Sequence, residues 1–266
     1  MPTAPKPARH EAAESIRQSN PEVIRRMNEF TNATFRTRGG RMGSGMGLLL
    51  EGLWGYHMSA VLAPHKIDIS WIAEDQYNDY ACTYLDEDWN PATKAGELLC
   101  IEAKSMNLGA DEPKGHFAEL ATNIGPEDLL LVLVWEWLPV QDSRQQVWPS
   151  VVEAFLGRAL SLARLRDSLH IARGGTFVDR LACPDECVPE LCQHHGEPLN
   201  ARGSRERLQG PESREPKGSS IGANFGGLKR MIGVGTQVAR AKRTEICASD
   251  EVAGQFVDFM QRVTRR

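Results

Sequence analysis

The apolar and polar positions of this chain fall into blocks, each pointing to one kind of element. Leu98 to Ile101 is a short apolar run that continues into Glu102-Ala103-Lys104-Ser105, the pattern of a buried strand with a polar end. Tyr80 to Leu85 is rich in strand-forming residues. Between the two, Asp86 to Glu97 carries Asp-Glu-Asp, Asn90-Pro91 and Gly96, a turn-rich connector. An antiparallel hairpin is therefore expected. Lys66 to Ile72 is a further strand-like segment. Before it, the glycines from Gly43 to Gly47 favour a loop, with a helix expected from near Leu48 toward Leu62, ahead of Pro64. Gly52 and Gly55 weaken that helix.

Downstream, Lys114 to Thr122 can form a short helix and Asp128 to Val134 is a buried-strand run. Val151 to Ile171 reads as a long amphipathic helix. Glu251 to Val263, with Val252, Phe256, Phe259, Met260 and Val263, predicts an amphipathic helix packed on the core. Asn200 to Ser220 has almost no apolar residues and reads as a flexible loop or linker.

Geometry gives the hairpin a chemical meaning. Period-two alternation puts Glu102 and Lys104 on one face of their strand. If Leu85 lies near Leu98, paired positions add to about 183 and Asp79 faces Lys104 on that same face. Asp68, in the earlier strand-like segment, is the rival for this acid. An acid pair converging on a lysine suits metal-dependent phosphodiester chemistry; the plainer reading of Glu-x-Lys is a surface ion pair.

Asp79, Glu102 and Lys104 resemble the PD-(D/E)XK nuclease motif, with Asn78 where the pattern often has proline. The resemblance covers roughly residues 43–171. It implies an α/β fold, a mixed central sheet flanked by helices as in a restriction-endonuclease-like core, here followed by a C-terminal Cys/His-containing lobe. It also implies a Mg²⁺-dependent DNA endonuclease, most simply a type II restriction enzyme acting on double-stranded DNA as a homodimer. Asp79 and Glu102 would hold Mg²⁺, Lys104 would position the attacking water, and Glu51 on the preceding helix would join the site. In-line attack would leave a 5′-phosphate and a 3′-hydroxyl. The alternatives are a defence or repair nuclease of the same fold, and a non-catalytic zinc-stabilised DNA-binding protein.

Charge and cysteines refine this picture. The 266 residues can bury one substantial core with an appended lobe. The expected division is an N-terminal helical and basic arm over 1–42, a nuclease core over 43–180 and a third part over 181–266. The totals, 31 basic against 35 acidic, say less than their distribution. Residues 44–142 hold 4 lysines, no arginine and 17 acids, whereas residues 1–43 hold 8 basic and 4 acidic, and 217–244 hold 6 basic and none acidic. An acidic centre between basic arms suits a metal site flanked by backbone-gripping elements. Candidate phosphate contacts are Arg36, Arg38 and Arg41, then Lys229, Arg230, Arg240, Lys242 and Arg243.

Cys183, Cys187, Cys192, His194 and His195 lie within thirteen residues. They offer the soft ligands that tetrahedral zinc takes, although not at a standard finger spacing. A structural Zn²⁺ and a loop of reduced cysteines with exposed histidines are both open. Cys82 and Cys100 sit in strand-like runs and read as small buried hydrophobes. No run approaches the ~20 apolar residues of a membrane span, and the first residues lack the apolar stretch of a secretion signal. A cytoplasmic protein without membrane contact is expected.

Overall fold

Seven consecutive apolar residues, Leu129 to Trp135, are each at most 1% exposed, the burial of a central strand. They open β4 (Leu129–Pro139). The computed structural model describes residues 6–38, 43–72, 79–90, 93–109, 124–141, 143, 145–173, 177–178, 215–216, 227–233 and 235–266. Lys114 to Thr122, Asn78 and the Cys183-to-His195 cluster lie outside them.

Among the described residues, β4 stands fourth in a five-stranded sheet ordered β1-β2-β3-β4-β5. The others are β1 (Ile67–Trp71), β2 (Tyr80–Tyr84), β3 (Glu97–Asn107) and β5 (Val147–Arg158). β3 and β4 are parallel and the remaining pairs antiparallel. The sheet is mixed, and helices flank it. The fold is α/β, as expected at this level.

Two helices supply the cover on one face. α1 (Arg9–Thr34) buries Ala12, Ala13, Ile16, Asn20, Val23, Met27 and Thr31, a stripe at helical spacing. Its outer face is laced by Glu22 with Arg25 and Arg26. α2 (Gly43–Leu62) buries Met46, Leu50, Trp54, Met58 and Leu62. These side chains share one apolar core with Leu99, Ile101 and Ala103 of β3 and Leu129, Leu131 and Leu133 of β4. Burying each large apolar side chain contributes roughly 1.5–3 kcal/mol. Inside the core the Trp54 indole donates to Asn20 Oδ1 at 2.8 Å, so neither polar group is orphaned.

Three expectations change. The glycine run opens α2 itself: the helix starts at Gly43, ahead of Leu48. Packing explains this, because a Cβ at Gly47 would collide with the Ser105 side chain, and one at Gly55 would stand 2.6 Å from Tyr80 Cε1. These glycines let helix and sheet approach closely. The hairpin register is the second change. Tyr80 pairs with Ile101 and Cys82 with Leu99, and a bulge between Cys82 and Thr83 then shifts Thr83 onto Glu97. Between Tyr80 and Cys82 the pairing is thus displaced by two residues from the expected one, which preserves the facing of the side chains on that side of the bulge, those of Asp79, Glu102 and Lys104 included. The third concerns Val151 to Ile171. Its first part belongs to β5, where Phe155 pairs with Val132 and Val151 with Trp135, and helix begins only at Ala159 in α3 (Ala159–Ala172).

The chain divides into two compact units, one holding α1, α2 and β1 to β5. The other holds α3, the short strands β6 (Phe177–Val178) and β7 (Glu215–Pro216), α4 (Leu228–Ile232), α5 (Gln237–Ser249) and most of α6 (Glu251–Arg265). α6 buries Phe256, Phe259, Met260 and Val263, as its pattern predicted. No helix among the described residues is long and apolar enough to cross a membrane.

Candidate active site

β3 changes character at Glu102. From Leu98 to Ala103 every side chain is buried, and Lys104 and Ser105 are half-buried. Alternation sends Leu99, Ile101, Ala103 and Ser105 toward α2, and Glu102 and Lys104 to the opposite face. The Lys104 ammonium pairs directly with Glu102 Oε1 and stands 3.9 Å from Asp79 Oδ2. Asp79 is fixed by its place just before β2: its Oδ2 accepts from the Ala103 amide at 2.7 Å, and its carbonyl accepts from the Ile72 amide at 3.0 Å. The three side chains singled out in the sequence therefore meet.

Glu51 comes to the same neighbourhood from α2, by another route. It is hydrogen-bonded to Ser105 and feels the charges of Asp79 and Lys104. Because Ser105 and Lys104 point to opposite faces of β3, Glu51 supports the strand from one side while Glu102 and Lys104 act on the other. Tyr80 ties this arrangement down, its hydroxyl donating to the Glu51 carbonyl. Ser105 and Tyr80 had not been singled out in the sequence. The signal for Ser105 is its parity with Ala103, which turns it toward the helix that carries Glu51.

Burial and charge set the protonation tendencies. Side-chain exposure falls from 33% at Asp79 to 18% at Lys104 and 11% at Glu102. Burial pushes the Glu102 carboxyl up to about 7, with Asp79 and Glu51 adding to the rise and Lys104 opposing it. Glu51 is also raised, chiefly by burial, against the hydrogen bond from Ser105. For Lys104 burial acts downward, but the carboxylates of Glu102, Asp79 and Glu51 overcome it and hold the ammonium charged.

Three carboxylates against one ammonium leave a formal excess of two negative charges when all are ionised. The donor set is all oxygen, which suits Mg²⁺, an ion that takes one or two protein carboxylates and fills its other positions with water and substrate phosphate. Asp79 and Glu102 fit that role. Among the described residues no group of three or more His, Cys, Asp or Glu side chains is gathered closely enough to hold a metal ion.

Asp68 lies elsewhere. It pairs with Thr83 in the sheet and accepts from Ser59 of α2, four positions along β2 from Asp79, or roughly 13 Å. Asp128 braces the sheet. Its Oδ1 accepts from the Cys100 amide at 2.8 Å and its Oδ2 from the Gly125 amide at 2.6 Å, closing the start of the β3–β4 ladder. Cys82 and Cys100 are buried with thiols pushed well above their usual range by burial.

The basic candidates divide between the two units. Arg36 and Arg38 are exposed just beyond α1, and Arg36 Nε donates to the Asn32 carbonyl at 2.7 Å. Arg41 is outside the described residues. Lys229 and Arg230 are in α4, and Arg240 is exposed on α5. Lys242 pairs with Glu245 at 2.8 Å. Arg243 differs from the others: its Nη1 donates to the Ile232 carbonyl at 2.9 Å, joining α5 to the end of α4. No protein-family model and no curated protein matches this chain.

Proposed function

We propose that the chain is a Mg²⁺-dependent DNA endonuclease of the PD-(D/E)XK type, acting on double-stranded DNA as a restriction enzyme. One observation carries the reading: Asp79 and Glu102 converge on the Lys104 ammonium in a largely water-excluded stretch of β3. Such burial gives an ammonium far more influence on developing charge than it has in water.

Asp79 and Glu102 would hold the ion. When bound, Mg²⁺ polarises the phosphate and makes water a stronger nucleophile at neutral pH. Asp79 is held in position by the Ala103 amide and Glu102 by the Lys104 ammonium, so both carboxylates are placed before substrate arrives. Lys104 donates toward the attacking water and offsets negative charge growing on the phosphate oxygens. Glu51 keeps the polar end of β3 in register through Ser105.

The test is incubation of supercoiled plasmid with the full chain and Mg²⁺, beside Lys104→Ala and Asp79→Ala. Discrete fragments that both substitutions abolish support a restriction enzyme. Unselective degradation that both abolish points to the repair or defence alternative. Salt-sensitive DNA binding without any cleavage defeats the nuclease reading and favours a non-catalytic DNA-binding protein.

A further inference from the structure

The ladder between β3 and β4 ends where Asn107 pairs with Trp135, but β4 and β5 stay paired from Glu136 and Ser150 to Pro139 and Val147. A two-stranded ribbon thus extends past β3. At its tip the Val140 amide donates to the Gln146 carbonyl at 2.9 Å and the Ser143 amide to the Val140 carbonyl at 3.1 Å. Residues 141–146 include three glutamines, of which Gln141 and Gln145 are exposed. Register relates this ribbon to the candidate site. Lys104 is level with Val132, so both side chains point the same way. Leu131, Leu133 and Trp135 belong to the helix-covered core, which leaves the alternate residues through Leu138 on the face of Glu102 and Lys104. Trp148 pairs with Leu138 and joins that face. Thr37 bridges Val147, the partner of Pro139, so the neighbouring Arg36 turns to the face of Leu138. Arg36, Leu138, Gln141 and Trp148 accordingly line one cavity of about 510 Å³. Leu138 is six residues past Val132, roughly 20 Å along the strand from the level of Lys104.

We infer that this ribbon enters the major groove of duplex DNA, where Gln141 and Gln145 read adenine edges while Arg36 holds a phosphate. The identity of the polymer rests on the nuclease reading above. The major groove admits a two-stranded ribbon, and a glutamine amide can hold adenine N6 and N7 together. Glutamine has no charge to offer a phosphate, but its paired donor and acceptor match a base edge. Arg36 is the one charged side chain among the described residues lining the cavity. Its Nε donates to the Asn32 carbonyl at 2.7 Å, which fixes the guanidinium beside the ribbon. Such a cation positions the duplex without reading it. Glu136, on the same face nearer the root, would repel a phosphate, which favours backbone contact at Arg36.

The experiment is selection by the full chain from a library of duplexes with a randomised centre, in Ca²⁺, an ion that oxygen ligands also hold. Anisotropy then measures affinity for the enriched duplex. A preferred sequence containing adenine should emerge. Gln141→Ala and Gln145→Ala should each relax one adenine position and lower affinity roughly 5- to 150-fold. Replacing that adenine by 7-deazaadenine, which lacks the N7 acceptor, should weaken the wild type and cost the matching variant little more. Arg36→Ala should instead weaken binding to every sequence alike and lower the salt slope by about 1. No enriched sequence, or a preference that both glutamine variants retain, overturns the inference. Plasmid cleavage in Mg²⁺ separates the two readings. Lys104-dependent cleavage at sites that both glutamine variants keep removes the ribbon alone. A glutamine-dependent preference without cleavage keeps the ribbon while removing the nuclease.

Discussion

β3 and β4 run side by side in parallel, with Ile101 level with Leu129 and Asn107 level with Trp135. β4 fills this stretch with apolar side chains only. β3 places Glu102 beside Leu130 and Lys104 beside Val132. Two strands with nearly the same surroundings thus carry opposite chemistry. Charges taken out of water cost several kcal/mol each, and their mutual attraction repays that only in part. β4 is built for cohesion, whereas β3 retains a charged pair that cohesion alone would not favour. Such a retained pair, with a second acid brought to it, is where function is to be sought.

The contrast can be broken from either strand. Leu131→Ala removes a fully buried side chain from the shared core and should lower stability by about 2–5 kcal/mol, read as the urea midpoint. Lys104→Ala should act on rate instead, cutting plasmid cleavage by roughly 10²–10³-fold, as loss of one buried electrostatic group does in other enzymes. A decrease below threefold would remove Lys104 from the chemistry.

Making β3 resemble β4 sharpens the comparison further. The double variant Glu102→Leu with Lys104→Val should leave stability unchanged or raise it by about 1–4 kcal/mol, with cleavage lost. A double variant that unfolds would mean that the ion pair holds the sheet together.

The smallest expected effect is on pH dependence. Glu102 has its folded carboxyl pushed up to about 7 from an ordinary 4.5. Its contribution to stability is therefore complete below about pH 4.5 and is lost as pH rises through about 7, by at most about 3 kcal/mol. In EDTA the urea midpoint should fall from pH 5 to pH 8 more steeply in the wild type than in the double variant. Added Mg²⁺ should flatten the wild-type slope. Parallel slopes in the two proteins would show that Glu102 is not the titrating group.

The mixed outcome of the sequence patterns has physical causes. Strand β3 and its Glu-x-Lys end were legible because period-two alternation is local. The meeting with Asp79 was legible because two residues of register error leave facing unchanged, even though the bulge between Cys82 and Thr83 was not visible. β5 was not legible as a strand. Val151 to Ile171 interleaves apolar residues with Glu153, Arg158, Arg164, Arg166 and Asp167 at spacings that a helix also fits, and only pairing with β4 draws its first part out as strand. The start of α2 was hidden for a related reason: glycine disfavours a helix locally, but here it admits Ser105 and Tyr80 to the helix surface.

Alone, the amino-acid sequence determined that Glu102 and Lys104 share one side of their strand and that Asp79 belongs to the same face, because side-chain alternation and turn formation depend on near neighbours. Only the tertiary structure decided that Glu51 reaches the site through Ser105, that Arg243 joins two helices, and that Arg36 and Trp148 line one cavity. Those relations join segments far apart in the chain, and they are set by how helices and strands pack, which no local pattern encodes.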